Sequence, residues 1–167
     1  PLYAVLIGLE RDGEMVAGVA AFPALQEMLV AGQGLGCRLN GRRCHVSHIA
    51  DPARAVVATT DPGAFAAHGK EEAWRRVSDA FWMRTGWGDA YGYALVASGR
   101  IEAMLDPVMN PWDAGPFPAI LAEAGGSFGD WRGRPGIHHG EGMAVNAALR
   151  RPLLELLAED GAQATER

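Results

Sequence analysis

Two tight-turn signals, Asp12-Gly13 and Asn40-Gly41, commit the front of this chain to antiparallel pairing. Both dipeptides accept the two consecutive left-handed residues that a two-residue hairpin turn needs. Around the first of them, residues 2–10 read as a buried strand rich in Val, Leu, Ile and Tyr, with Met15–Phe22 as its partner. Glu27–Ala31 is expected as a third strand, and Gly32 to Gly36 leads into the second hairpin. In the Asn40-Gly41 register Cys37 stands opposite Cys44, a pair read here as two small strand residues rather than a disulfide. Residues 1–50 are therefore an antiparallel, hairpin-rich region.

From about residue 55 the pattern changes to alternating strands and helices, which predicts a sheet covered by helices. Ala55–Thr59 is a strand ending in the Asp61-Pro-Gly63 turn, and Glu71–Phe81 carries apolar residues near helical spacing. Met83–Thr85 is a short strand; Asp89 is placed to cap a helix over Ala90–Ser98 that Gly99 closes. Ile101–Leu105, Ser127–Asp130 and Met143–Val145 are strand-like. Helices are expected over Pro116–Ala124 and Ala147–Ala158, the latter with Leu149, Leu153, Leu156 and Leu157 on one face. The fold class is α/β in layers (α+β), as one domain over residues 1–158 with a polar tail over 159–167.

Composition narrows the partners. A net charge of −5 argues against nucleic acid, whose phosphates call for a basic face. No apolar run approaches the ~18 residues of a membrane span, and nothing reads as a signal peptide. A cytoplasmic setting, in which thiols stay reduced, is the expectation. The chain opens without Met and already inside an apolar run, where natural domains begin polar and frayed. The expectation is a chain that starts part-way into its fold, with Leu2, Val5 and Ile7 on an incompletely covered strand.

The chemistry-bearing stretch runs from Asp106 to Gly126. Asp106 ends a strand before the rigid Pro107, and Asp113 stands at a helix entrance after Asn110-Pro111-Trp112. Two such carboxylates can face one crevice in an α/β sheet. Hard cations such as magnesium take carboxylate oxygens. On spacing alone, capping and the helix dipole account for an aspartate in a first turn without any function.

Trp112-Asp113-Ala114-Gly115 followed by Glu123-Ala124-Gly125-Gly126 resembles the C-terminal signature of the inositol-monophosphatase superfamily. Gly88-Asp89-Ala90-Tyr91-Gly92-Tyr93, Asp106-Pro-Val-Met-Asn-Pro-Trp-Asp113 and Thr59-Thr60-Asp61-Pro62 are similar to motifs of its bacterial-type histidinol-phosphate phosphatase branch. The resemblance spans nearly the whole chain. It implies a sugar-phosphatase-like layered fold and a phosphomonoesterase that uses Mg2+. On it, Asp113 is a metal ligand and catalytic residue, and Asp106 contacts the leaving-group side of the substrate. Asp89, with Gly88 and Ala90, lies where the family brings exposed backbone N–H groups to the ester; for Asp89 a plain N-cap and a substrate contact both stand. Tyr91 is a contact or a core residue.

The resemblance implies a small phosphate ester as partner, L-histidinol phosphate first, with inositol phosphate or another ester of the same class as the alternative. It also implies a homodimer. The family's other metal ligands, a Glu-Glu pair and the two aspartates of an Asp-Pro-x-Asp-Gly-Thr motif, have no counterpart here. Glu71-Glu72 reads as a solvated helix face, and Asp51-Pro52 and Asp61-Pro62 lack the Asp-Gly-Thr. The chain is thus expected to carry one ligand of a larger site and to be weakly active or inactive alone, unless it is a half-protein that serves as an association module. His45, His48, His138 and His139 read as surface residues.

Overall fold

The computed structural model describes residues 2–158; the tail expected from Glu159 lies outside the described residues. Five strands, β1 (Val5–Arg11), β2 (Glu14–Phe22), β3 (Glu27–Gly32), β4 (Gly36–Leu39) and β5 (Arg42–Arg43), pair antiparallel in chain order. Both turn signals work as read. Asp12 and Gly13 have φ of 54° and 83°, and Asn40 and Gly41 have 48° and 79°, the double left-handed pair of a tight hairpin.

The second sheet contains β6 (Val56–Ala58), β7 (Met83–Thr85), β8 (Ala103–Asp106), β9 (Gly126–Gly129) and β10 (Gly142–Asn146), in the order β7-β6-β8-β10-β9. β6 runs parallel to β7 and β8, while β10 is antiparallel to β8 and β9. Among the described residues there are six α-helices: α1 (Ala64–Ala67), α2 (Glu71–Ala80), α3 (Asp89–Ala97), α4 (Pro111–Ala114), α5 (Phe117–Glu123) and α6 (Arg150–Leu157). None of the described helices is long and apolar enough to cross a membrane.

The layers follow from which faces are apolar. α3 buries Ala90, Gly92, Tyr93, Ala94, Val96 and Ala97, so it has no polar face to offer to water. It lies with α5 between the two sheets. One core joins Ala20, Phe22 and Leu29 of the first sheet to Tyr93 and Ala97 of α3, Ile120 of α5, and Met104 and Ala144 of the second sheet. The other side of the second sheet presents Val57, Ala103, Leu105, Met143 and Val145 to Phe65 of α1, Val77 of α2 and Leu149, Leu153 and Leu157 around α6. Met104 and Ala144 thus face one way and their strand neighbours the other, the period-two alternation of a sheet buried on both sides.

The structure corrects several expected boundaries. The helix expected over Pro116–Ala124 is present as α5, within one residue at each end, and a separate single turn, α4, precedes it around Asp113. Pro116 and Pro118 cannot supply interior helix N–H groups, which places both at or before the first turn of α5. The last helix begins at Arg150 rather than Ala147, because Asn146 Oδ1 accepts the Leu149 N–H at 2.8 Å and holds a turn there. Asp89 is not a side-chain cap; Gly88 occupies the N-cap position.

Gly8 and Gly18 are cross-strand partners, and the α4–α5 joint packs on them. A Cβ on Gly8 would stand 2.6 Å from the Gly115 carbonyl, and one on Gly18 would collide with the Pro116 carbonyl oxygen. The first sheet therefore sets the seat of the joint that follows Asp113. Its other face is apolar and open among the described residues. Val5, Ile7 and Leu9 are 52%, 59% and 59% exposed, alongside Met28 and Val30 of β3, while Leu2 is half-buried.

Gly18→Ala is expected to destabilise the fold by about 1–3 kcal/mol, since the obstructing atoms are backbone and cannot rotate away. A urea midpoint equal to that of the wild type would contradict this packing.

Candidate active site

Asp106 is the last residue of β8 and is 5% exposed. Its carboxylate accepts three hydrogen bonds. Oδ1 receives the Thr60 N–H at 2.9 Å and the Thr59 hydroxyl at 3.4 Å; Oδ2 receives the Tyr93 hydroxyl at 2.8 Å. One carboxylate thereby ties the segment after β6, the end of β8 and the middle of α3. Burial pushes the Asp106 carboxyl above its ordinary value, opposed by these hydrogen bonds and reinforced by the nearby charge of Asp89.

The same Thr59–Thr60 segment holds the entrance of α3. Thr60 O accepts the Trp87 N–H at 2.8 Å and Thr59 O accepts the Gly88 N–H at 3.0 Å. Trp87 and Asp89 adopt positive φ, 62° and 46°, a conformation that costs a non-glycine residue about 1–3 kcal/mol and persists only where neighbours impose it. The N–H groups of Asp89 and Ala90 find no acceptor among the described residues, as befits a first helical turn. The Gly88 N–H, by contrast, is taken internally.

A cleft of about 280 Å³ opens here, beyond the carboxyl ends of the parallel strands β6 and β8. Asp61, Asp89, Asp106 and Asp113 line it, with Ala90, Tyr93 and Asn110. Asp113 sits in the single turn of α4, exposed, with Asn110 Nδ2 donating to its Oδ2 at 3.2 Å. Asp61 is partly occupied, its Oδ1 accepting the Gly63 N–H at 2.8 Å. Of the residues singled out from sequence, Asp89, Ala90, Asp106 and Asp113 meet at this cleft, and Gly88 lies just behind it.

Tyr91 does not reach the cleft. It packs edge-on against Phe22, with ring centroids 5.1 Å apart, and its hydroxyl donates to Glu27 at 3.1 Å. Asp61, Thr59, Thr60 and Tyr93 join the site only in three dimensions. Their signal was nevertheless present, since all four belong to the motifs around Asp61 and Asp89.

The chemistry of the lining suits a cation. Four carboxylates line the cleft, and among the described residues no Lys or Arg lines it to neutralise them. Their field reaches Tyr93: burial first, then the charges of Asp106, Asp89 and Asp113, drive its phenol well above the ordinary value of 10. Asp113, solvent-facing and free of ion pairs among the described residues, is the donor best placed for a hard cation. Among the described residues, no group of three or more His, Cys, Asp or Glu side chains is placed to hold a metal ion by itself.

An inositol monophosphatase family model matches residues 1–166. The chain belongs to the inositol monophosphatase family. Members of this family are metal-dependent phosphatases. The chain is 40% identical over 155 residues to histidinol-phosphatase of Chlorobaculum parvum, covering 92% of this chain and 60% of that protein. It is 30% identical over 159 residues to inositol-1-monophosphatase of Mesorhizobium japonicum, covering 93% of this chain and 60% of that one. An inositol monophosphatase structure from Zymomonas mobilis superposes with a TM-score of 0.86 at 28% identity, over 92% of this chain and 62% of its own. The chain thus spans about 60% of the length of these two curated relatives.

A raised folded-state pKa on Tyr93 means that folding favours its protonated form. That contribution is intact below the unfolded pKa near 10 and is lost progressively as pH rises above it. Wild-type stability should therefore fall with pH beyond 10, and Tyr93→Phe should flatten that fall. Identical alkaline slopes in urea unfolding of the two proteins would show that the phenol does not couple to folding.

Proposed function

We propose that this chain works as part of a magnesium-dependent phosphomonoesterase whose preferred substrate is L-histidinol phosphate. The observation that carries the reading is the convergence of Asp113, Asp106 and Asp89 on one cleft at the carboxyl ends of β6 and β8. The 40% identity to a histidinol-phosphatase supports the choice of substrate.

In this reading Asp113 is a ligand of the metal, and the bound ion supplies Lewis acidity and a water of lowered pKa. On this reading Asp113 is one ligand of a larger set, in keeping with the absence of a three-carboxylate cluster among the described residues. Asn110 steadies the Asp113 carboxylate through its 3.2 Å hydrogen bond. Asp106, held by Thr60 and Tyr93, presents a fixed negative charge to the amine or imidazole of the leaving alcohol. The unpartnered N–H groups of Asp89 and Ala90, at the positive end of α3, face the anionic ester.

Inositol phosphate is the rival substrate, favoured by the 30% identity to an inositol-1-monophosphatase. It offers hydroxyls rather than a cation, so Asp106 would accept hydrogen bonds instead of forming an ion pair. Comparing kcat/KM for the two esters in the full-length enzyme separates the readings; faster cleavage of inositol phosphate would sink the histidinol assignment. In the same enzyme Asp113→Asn should lower kcat by roughly a hundredfold or more while the circular dichroism spectrum stays unchanged. Wild-type turnover in that variant would remove Asp113 from the metal site.

A further inference from the structure

Away from the cleft, the thiols of Cys37 and Cys44 face each other across the β4–β5 hairpin with their sulfurs 3.4 Å apart, and both are free. Just beyond the Arg38–Arg43 pair, Cys44 N–H donates to Cys37 O at 3.1 Å. Directly opposed, hydrogen-bonded residues of antiparallel strands have Cα atoms about 5.5 Å apart, inside the window that a disulfide accepts. Cys37 is buried and Cys44 half-buried, so one sulfur is reachable from solvent and the other lies behind it.

Both arms of the hairpin are anchored to the C-terminal end of α5. Gly34 N–H and Gly36 N–H donate to the Glu123 carboxylate at 2.8 and 2.6 Å, and Val46 N–H donates to Ala124 O at 3.0 Å. The two sulfurs sit between these anchors and are held in register by them. We propose that Cys37 and Cys44 form an oxidisable dithiol, which hydroperoxides convert to an intramolecular disulfide with Cys44 as the attacking thiol.

The chemistry balances with hydrogen peroxide as the oxidant. The Cys44 thiolate attacks one peroxide oxygen, the O–O bond breaks and hydroxide leaves, giving a sulfenic acid. Cys37 sulfur then attacks the Cys44 sulfur; the S–O bond breaks, and the hydroxyl departs as water with the Cys37 proton. Two electrons pass from the thiols to the peroxide. The order of attack follows from the surroundings. Cys44 is the sulfur that solvent reaches; its contact with Cys37, with Arg100 nearby, lowers its thiol pKa, whereas the same contact, burial and the Glu123 charge raise that of Cys37.

Treating the purified chain with one equivalent of hydrogen peroxide tests this by intact mass and differential alkylation. The expected product has lost two hydrogens, resists iodoacetamide at both cysteines and recovers both thiols with dithiothreitol. Cys37→Ser should instead gain oxygen at Cys44, and Cys44→Ser should react roughly tenfold more slowly. The proposal fails if both cysteines of the wild type remain alkylatable, or if the disulfide joins two chains. It fails equally if Cys44→Ser consumes peroxide at the wild-type rate.

Discussion

A helix with no polar face has to be covered on every side, and α3 is such a helix. Its only stable position is between two sheets, and the layer order of the molecule follows from that. Tyr93 marks the centre of the layer: its ring stacks on Phe117 with centroids 4.8 Å apart and tilts against Phe128 at 5.6 Å. Small residues on the surrounding elements let the layers close. Gly18 admits the Pro116 backbone from the sheet side, and Gly92 admits the Met104 side chain from the second sheet. Seating α3 in this way also fixes where its N-terminus points, and the cleft lies at that end.

The Asp106 carboxylate is where packing and chemistry meet. Burying a carboxylate is costly unless its lone pairs are engaged, and three donors from two separate segments engage these. Tyr93 takes part in both roles, with its ring in the apolar layer and its hydroxyl on the carboxylate. Around this fixed charge Asp61, Asp89 and Asp113 are more exposed and less constrained. The cleft therefore has a rigid floor and an adaptable acidic rim, an arrangement that favours a cationic guest. The strained Asp89 backbone persists because Thr59 and Thr60 grip the loop before it through their carbonyls.

The two faces of the first sheet contrast sharply. The inner face is packed to the point of excluding a methyl group, while the outer face leaves Val5, Ile7, Leu9, Met28 and Val30 open among the described residues. A contiguous apolar sheet face of this kind favours association or cover in water. Strand β1 carries most of it, and β1 is also an edge strand.

Sequence alone determined the local features. The Asp12-Gly13 and Asn40-Gly41 turns, the strand-helix alternation after residue 55 and the placing of Cys37 opposite Cys44 were all legible, because turn chemistry and side-chain period act over a few residues. The motifs around Asp89, Asp106 and Asp113 pointed to the family and to three of the four cleft-lining aspartates for the same reason, and Asp61 was missed. Tertiary structure decided what depends on contacts between distant segments. Periodicity tells which face of an element is apolar but not which other face it meets. Hence the grip of Thr59 and Thr60 on Asp106, the seating of Gly115 and Pro116 on Gly8 and Gly18, and the left-handed Asp89 emerged only in three dimensions. The 3.4 Å approach of the two sulfurs belongs with them: pairing set the register, but anchoring both hairpin arms to α5 brought the thiols together.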